Sequence, residues 1–166
     1  MDDRPERYPT GLIVGRFNPP HLGHSFMIEW AEARCGRLVV FVNTRVGELV
    51  PGHLRAEWLA DLHPAVTVVE VAHQLDTNFD DEQLWAQWMA LFRSRWPHST
   101  GPHAVFSSDP YVSGIAARFE AAPVVVDADR EAVPISATQI RESPADHLDQ
   151  LAPAVREWVS QHLVRP

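Results

Sequence analysis

Hydrophobic and polar positions alternate along the chain between short apolar runs and segments with helical spacing. The apolar runs predict five buried strands, at residues 12–14, 38–42, 66–71, 104–106 and 124–126. Between and after them, apolar side chains recur three or four positions apart and predict helices that start near residues 21, 54, 82, 110 and 151. This alternation predicts an α/β fold: an open parallel sheet of about five strands with helices on both faces and ligands at the carboxyl ends of the strands.

A single domain accounts for the whole chain, residues 1–166. The length, a hydrophobic fraction of 45% and six tryptophans are typical of one globular domain. The charged opening predicts a flexible N-terminus over residues 1–9. The polar stretch 73–81 predicts a mobile active-site loop.

The charged residues and the single cysteine limit the binding partners, the cellular compartment and the chemistry that the sequence predicts. The formal net charge is −8, whereas a general nucleic-acid binder is usually basic, so we expect no nucleic-acid partner. One cysteine, no secretory leader and no apolar run of membrane-spanning length predict a cytoplasmic protein without a membrane partner. All fourteen lysine-plus-arginine positions are arginine. The absence of lysine excludes a P-loop and any lysine-bound intermediate.

A pair of histidines follows the first predicted strand. His21 and His24 lie at the start of the first predicted helix, with Gly23 between them. A helix start offers free N–H groups and the positive end of the helix dipole to an anion, and a glycine lets a polyphosphate approach the backbone. Two imidazoles three positions apart can both donate to one phosphate. Solvated histidines at an ordinary helix start are the alternative, and no cysteine or carboxylate cluster completes a zinc site.

A second motif lies more than a hundred residues later. Ser136 and Gln139 fit a capping box, and Thr138 and Arg141 add a hydroxyl and a guanidinium. The segment could serve only to start a helix, but a Ser-Pro pair ends that helix almost at once, so it contributes little packing. We therefore interpret the helix start together with Arg141 as a phosphate clamp.

The two motifs together resemble those of a known superfamily. The stretches GRFNPPHLGH at 15–24 and ISATQIR at 135–141 are similar to the signatures of the HxGH nucleotidyltransferases, which have a Rossmann-like fold. Within that superfamily the chain resembles the nicotinamide mononucleotide (NMN) adenylyltransferase domain of bifunctional bacterial NAD-biosynthesis proteins. Supporting stretches lie at 50–59, 106–111 and 126–134, so the likeness covers nearly the whole chain.

The resemblance implies transfer of AMP from ATP to the 5′-phosphate of NMN, which gives NAD and pyrophosphate. Such transfer depends on in-line positioning and preorganised positive charge, so we expect direct attack without a covalent intermediate. By resemblance, His21, His24 and Arg141 are catalytic, and Asn18, Trp85 and Trp88 bind the acceptor. The nucleotide-binding residues implied in the same way are Gly15, Arg16, Phe17, Gly23, Arg55, Ser107, Asp109, Ser136 and Thr138.

Magnesium is the one cofactor that the resemblance implies. Mg²⁺ prefers substrate phosphates and water to an all-protein cage, so we expect it to enter with ATP or another nucleoside triphosphate and expect no metal site built from protein ligands. Oligomers are typical of the family, which leaves a homo-oligomer open.

Several of the implied residues have structural alternatives. Arg16 and Arg55 could be surface charges, and Arg55 would then lie on the outside of its helix. Trp85 and Trp88 could stack on a flat cationic ring or pack in the core. Asp109 could cap a helix rather than contact a nucleotide.

Two departures from the family pattern leave the acceptor open. Residues 147–149 read His-Leu-Asp where related domains often have His-Trp, and residues 109–112 lack the usual acidic-Tyr-Gly sequence. A cytidylyltransferase acting on a phospho-alcohol or phosphonate and a pantetheine-phosphate adenylyltransferase are therefore alternatives, and a non-catalytic nucleotide sensor is a third. Class I aminoacyl-tRNA synthetases share the first motif, but their second signature carries lysines.

Overall fold

Strands and helices alternate in the structure, a computed structural model that describes residues 7–78, 80–109, 112–127 and 129–164. The strands are β1 (Tyr8–Gly15), β2 (Cys35–Thr44), β3 (Thr67–Ala72), β4 (Ala104–Ser107) and β5 (Ala122–Val125). The helices are α1 (Leu22–Glu32), α2 (Gly52–Leu62), α3 (Glu82–Arg95), α4 (Val112–Arg118), α5 (Ala137–Glu142) and α6 (Pro153–His162). The predicted open parallel sheet with helices on both faces is confirmed.

The strand order places a switch point in the middle of the sheet. The five strands are all parallel and lie in the order β3-β2-β1-β4-β5. The chain winds outward from β1 through β2 and β3, and then crosses to β4 and β5 on the other side. Open α/β sheets bind ligands at the carboxyl ends of the strands where the winding reverses, which here is between β1 and β4.

Each face of the sheet has its own hydrophobic core. Ile13 of β1 faces a cluster that includes Ile28 of α1 and Leu59 of α2. Its neighbours Leu12 and Val14 face the opposite cluster, which holds α3 and α4. Successive residues of a strand point to opposite faces, so the continuous apolar run of β1 reflects a strand buried on both sides. A third cluster joins α5 and α6 to α2.

Several element boundaries differ from the predictions. Strand β1 begins at Tyr8, which pairs with Cys35, so the predicted flexible segment 1–9 is wrong for Tyr8 and Pro9; residues 1–6 lie outside the described residues. Helix α4 begins at Val112, and the helix start predicted at Pro110 falls on a residue outside the described ranges. Among the described residues, every helix is too short or too polar to cross a bilayer.

Candidate active site

Two adjacent cavities open at the carboxyl edge of the sheet. The histidine cavity, of about 280 Å³, lies at the switch point between β1 and β4 and includes His21, His24 and Arg141. The tryptophan cavity, of about 320 Å³, includes Trp85 and Trp88. Both cavities are lined by Val14, Gly15 and Arg16, so the end of β1 forms a wall that they share.

Most residues implied by the resemblance line the histidine cavity. The segments that follow β1 and β4 and the helix α5 bring them together from three distant parts of the chain. The predicted residues that line it are Gly15, Arg16, Phe17, Asn18, His21, Gly23, His24, Ser107, Asp109, Ser136, Thr138 and Arg141.

The two histidines form a reciprocal cap at the start of α1. Nδ1 of His21 accepts from the backbone N–H groups of Gly23 at 3.0 Å and of His24 at 3.3 Å. Nδ1 of His24 accepts from the backbone N–H of His21 at 3.2 Å, and the two rings stack with centroids 3.7 Å apart. Because both Nδ1 atoms act as acceptors, the proton of each neutral ring lies on Nε2. Among the described residues, the buried Nε2 of His21 has no hydrogen-bond partner, so its N–H is available to a ligand.

Burial keeps both imidazoles uncharged. Desolvation lowers the pKa of His21 to about 4, with a smaller contribution from the positive charge of Arg130. Desolvation also lowers the pKa of His24 well below its ordinary value, and His21 and Arg130 add to that effect. At neutral pH the pair therefore offers two neutral N–H donors rather than two cations.

Arg141 joins the two sequence motifs. Its guanidinium donates to the backbone oxygen of Asn18 at 2.7 Å and to Oγ1 of Thr138 at 3.2 Å. Burial lowers the pKa of Arg141, and the nearby charge of Arg16 acts in the same direction. The loop after β1 and the helix α5 are thus held together at the edge of the histidine cavity, as the sequence analysis required.

The predicted capping box of α5 is confirmed. Oγ of Ser136 accepts from the backbone N–H of Gln139 at 3.2 Å, and the Gln139 side chain accepts from the backbone N–H of Ser136 at 2.9 Å. The capping role and a place in the cavity are compatible, since Ser136 also lines it.

Arg130 is a cavity residue that the sequence analysis missed. It lies between β5 and α5, lines the histidine cavity, and has a guanidinium nitrogen 3.9 Å from Oδ1 of Asp109. The signal was available, because Arg130 stands shortly after the end of a parallel strand, where ligand-binding residues gather. Ser108 lines the same cavity, and its hydroxyl donates to the backbone oxygen of Val126 at 2.6 Å.

The tryptophans combine core packing with a place in a cavity. Trp85 and Trp88 are each 7% exposed and belong to the core beneath α3 and α4, yet both line the tryptophan cavity. The guanidinium of Arg118 lies 3.9 Å from the centroid of the Trp85 ring, and Nε1 of Trp88 donates to the backbone oxygen of Asp76 at 2.8 Å. The two alternatives of the sequence analysis are therefore not exclusive.

The remaining walls of the tryptophan cavity come from the loops that follow β2 and β3. Glu48 and His73 line it, and neither was predicted. Nδ1 of His73 accepts from the backbone N–H of Leu75 at 3.1 Å, and desolvation is the largest cause that lowers the pKa of His73.

Arg55, which was predicted to bind the nucleotide, is not among the described residues that line either cavity. The side chain is 0% exposed. It donates to the backbone oxygens of Arg16, Asn43 and Val50, and pairs with Oε1 of Glu48 at 2.7 Å. A buried guanidinium that makes four hydrogen bonds in this way holds the loops after β1 and β2 in place.

Asn18 and Gly23 have structural roles that the sequence analysis did not assign. Oδ1 of Asn18 accepts from the backbone N–H of Val50 at 3.1 Å, and Asn18 lines the histidine cavity rather than the tryptophan cavity expected for an acceptor-binding residue. A Cβ at position 23 would lie 2.8 Å from Cε1 of His21. The lack of a side chain at Gly23 therefore makes room for the ring of His21.

Comparison with known proteins matches the first part of the chain to a family. A family model described as Cytidylyltransferase-like matches residues 12–49. A nicotinamide-nucleotide adenylyltransferase of Aeropyrum pernix is 52% identical over 33 residues, which make up 20% of this chain and 19% of that protein.

Several solved structures share the fold over most of the chain. A NadR protein in complex with NR has a TM-score of 0.64 at 19% identity, over 96% of this chain and 46% of that chain. A NadR protein in complex with NAD and AMP-PNP has a TM-score of 0.64 at 20% identity, over 89% and 45%. A bifunctional NMN adenylyltransferase/ADP ribose pyrophosphatase of Francisella tularensis, complexed with AMP and an Mn ion, has a TM-score of 0.60 at 15% identity, over 89% and 44%.

This chain spans less than half the length of these solved chains, and at such identities the likeness shows the fold. The family match covers the histidine pair, and the second motif completes the same cavity. The chain is therefore similar to Cytidylyltransferase-like proteins over residues 12–49 and shares the fold of the solved NadR structures.

Proposed function

We propose that the protein transfers AMP from ATP to the 5′-phosphate of NMN and releases NAD and pyrophosphate. The observation that carries this proposal is the wall of Val14, Gly15 and Arg16 shared by the two cavities. A triphosphate in the histidine cavity and an acceptor in the tryptophan cavity would meet at that wall. Direct transfer between two bound substrates requires such an arrangement.

The histidine cavity supplies the donors that a triphosphate needs. Nε2–H of His21 and of His24 would donate to the α-phosphate and to the bridging oxygen, and Arg141, Ser136 and Thr138 would hold the β- and γ-phosphates. An oxygen of the acceptor phosphate forms a bond to the α-phosphorus as the bond from that phosphorus to the α–β bridging oxygen breaks. The negative charge moves onto pyrophosphate, where fixed N–H donors stabilise it. The attacking oxygen is already anionic, so no general base is required.

The tryptophan cavity suits an acceptor with a flat cationic ring. Indole faces attract such rings, and the cavity adds the carboxylate of Glu48 and the neutral imidazole of His73. The relative from Aeropyrum pernix is named as a nicotinamide-nucleotide adenylyltransferase, and solved structures of the same fold contain NR or NAD. These similarities support NMN as the acceptor.

Magnesium would enter with the nucleotide. Among the described residues, no group of three or more His, Cys, Asp or Glu side chains could hold a metal ion. The histidine cavity contributes one carboxylate from its described lining, that of Asp109, which fits an ion that keeps its water and phosphate ligands. When bound, Mg²⁺ would neutralise charge on the β- and γ-phosphates.

Pyrophosphate release measured with a panel of substrate pairs tests the proposal. The purified chain is incubated with Mg²⁺ and ATP plus NMN, ATP plus the nicotinic acid analogue of NMN, ATP plus phosphopantetheine, or CTP plus a phospho-alcohol or phosphonate. We expect turnover with ATP and NMN, and NAD as the dinucleotide product. Turnover with other pairs and none with ATP and NMN would overturn the proposed acceptor.

A cytidylyltransferase is the second candidate, because the matching family model is described as Cytidylyltransferase-like. The same shared wall would serve attack by a phospho-alcohol on CTP. The CTP arm of the panel decides between the two. Binding of ATP in calorimetry without pyrophosphate release from any pair would instead indicate a nucleotide sensor.

A further inference from the structure

A loop residue outside both sequence motifs reaches the histidine cavity from the side of β5. Arg130 donates from one guanidinium nitrogen to the backbone oxygen of Ile135 at 3.2 Å, and its other terminal nitrogen lies 3.9 Å from Oδ1 of Asp109. The side chains of Arg130 and Asp109 are 40% and 46% exposed. A long ion pair between two exposed groups contributes little stability, so another anion can displace the carboxylate at low cost.

The backbone holds Arg130 in an unusual conformation. Its φ is +53°, in the left-handed region that residues other than glycine rarely adopt. The backbone N–H of Arg130 donates to the backbone oxygen of Asp127 at 2.9 Å, and the Asp127 carboxylate accepts from the backbone N–H groups of Glu131 and Ala132, each at 3.0 Å. Strained residues of this kind persist where the surrounding structure enforces them, commonly at ligand sites.

The charges of the histidine cavity make Arg130 and Asp109 a matched pair. Because the histidines are neutral, the described positive charges of the lining are those of Arg16, Arg130 and Arg141. Asp109 supplies the one negative charge among the described lining residues. A triphosphate would be repelled by this carboxylate and attracted by the guanidinium beside it. Arg130 and both histidines line this cavity, and the positive charge of Arg130 contributes to the lowered pKa of each histidine.

We propose that Arg130 is a third triphosphate-binding arginine, and that it exchanges Asp109 for the β- and γ-phosphates when the nucleotide binds. Before the nucleotide binds, the carboxylate of Asp109 pairs with the guanidinium of Arg130 and thereby competes with the phosphates for it. This inference deepens the proposed function and rests on its assignment of the histidine cavity to the triphosphate.

Titration of inorganic tripolyphosphate in a calorimeter tests the exchange without an acceptor. We expect Arg130→Ala to weaken binding about tenfold, with Arg130→Lys in between, because a charge-assisted hydrogen bond to phosphate is lost. Arg37→Ala is the matched control, since Arg37 is an exposed arginine near the amino end of β2, far from the carboxyl edge. Asp109→Asn should tighten binding several-fold, whereas Asp61→Asn on the exposed face of α2 should not.

The double variant decides whether the two residues act as a pair. With alanine at position 130, Asp109→Asn should tighten tripolyphosphate binding less than it does in the wild type, because no guanidinium remains to be released. Equal or greater tightening would show simple repulsion and overturn the exchange. An affinity of Arg130→Ala within twofold of that of Arg37→Ala would overturn the assignment of Arg130. Urea unfolding checks that each variant is folded, and Arg130→Gln replaces the alanine variant if that one is not.

The outcome separates this inference from the proposed function. If the protein makes no NAD but the variants show the expected affinities for tripolyphosphate, the exchange between Arg130 and Asp109 is supported and NMN is ruled out as the acceptor. If the wild type makes NAD and the Arg130→Ala variant has an unchanged KM for ATP, the proposed reaction is supported and the exchange at Arg130 is overturned.

Discussion

Each histidine of the pair divides its work between its two ring nitrogens. Nδ1 accepts a backbone N–H and fixes the ring at the start of α1, while Nε2 carries the proton that a ligand can accept. The same hydrogen bonds that orient the rings therefore select the tautomer that donates to an anion. A side chain that caps α1 but lacks the second nitrogen would keep the helix and lose the donor.

His24→Ala tests this division of roles. We expect pyrophosphate release to fall by two or more orders of magnitude, because removing one fixed donor to a developing charge costs a few kcal/mol in the transition state. The loss of one cap should cost only about 1 kcal/mol of unfolding free energy. Steady-state kinetics and urea unfolding measure the two effects. His53→Ala, at an exposed position of α2, is the control; near-normal turnover of a folded His24 variant would contradict the role.

Arg141→Lys tests the need for a planar guanidinium. Arg141 already donates to the backbone oxygen of Asn18 and to the hydroxyl of Thr138, and under the proposed function its remaining donors would bind phosphate. An ammonium cannot reproduce this fork, so we expect a loss of ten- to a hundredfold in kcat/KM for ATP. Kinetics at saturating acceptor measure it. Equal kcat/KM in the lysine variant would show that charge alone suffices.

The residues of the histidine cavity could largely be predicted, because the two motifs are short and local. Arg55 could not be read from its motif alone, and its burial depends on which face of α2 packs inward. The spacing did hold a signal, since Arg55 shares a helix face with the buried Trp58 and Leu59. The position of Arg130 shortly after a strand was a signal for a cavity residue, but its contact with Asp109 depends on the adjacency of β4 and β5, which no local pattern contains.

At the scale of elements, one buried ion pair fixes the loops that build the tryptophan cavity. Arg55 of α2 holds backbone oxygens at the ends of β1 and β2 and the carboxylate of Glu48. Glu48 in turn accepts from the backbone N–H of Arg45 at 2.6 Å and lines the cavity. The position of the shared wall therefore depends on a side chain that is fully buried.

Arg55→Met should destabilise the protein by about 3–5 kcal/mol, because it leaves a partly buried carboxylate and several carbonyl oxygens without their partner. Urea unfolding measures the loss. Adding Glu48→Gln should recover part of it, since the uncompensated charge is then removed. Arg37→Met, at an exposed position, is the control; a similar small effect of both variants would contradict the role of the network.

Element ends were less predictable than element types. The apolar run predicted a strand at 38–42, but β2 runs from Cys35 to Thr44, because its polar ends pair with β1 and β3. Pairing partners decide where a strand ends, and a single apolar run does not contain them. The helices, whose caps and stop signals are local, agree more closely with their predictions.

For the whole molecule, burial of neutral histidines makes stability depend on pH. In the unfolded chain, His21 takes up a proton below its ordinary pKa of 6.5, whereas in the folded protein burial lowers that pKa to about 4. Between these two pH values the unfolded state binds more protons than the folded state. The contribution of His21 to the free energy of unfolding is therefore complete above pH 6.5 and is lost as the pH falls toward 4. The pKa values of His24, His63 and His73 are lowered in the same direction.

We expect His21 alone to cost about 2 kcal/mol of unfolding free energy between pH 7.5 and pH 5. Urea unfolding at the two pH values measures the loss. In a His21→Asn, His24→Asn variant, which keeps capping side chains, the difference between the two pH values should shrink. An unchanged difference would show that other groups control the acid sensitivity.

The order of the strands could not be predicted from the sequence, because periodicity shows where a strand is but not which strand lies beside it. That order places β1 at the centre of the sheet and puts both cavities against its carboxyl end. The predicted site therefore required two distant segments to lie side by side, which periodicity does not show. The two motifs, taken together, predicted that they do.

The shared wall of Val14, Gly15 and Arg16 also bears on how the product of the proposed reaction would leave the site. Under the proposed reaction, a dinucleotide made across this wall would be held in both cavities, so that when one half dissociates, the other would keep it close enough to rebind. Each mononucleotide half has no such restraint. Under the proposed function, the geometry that brings the two substrates together would therefore also slow the release of the product formed from them.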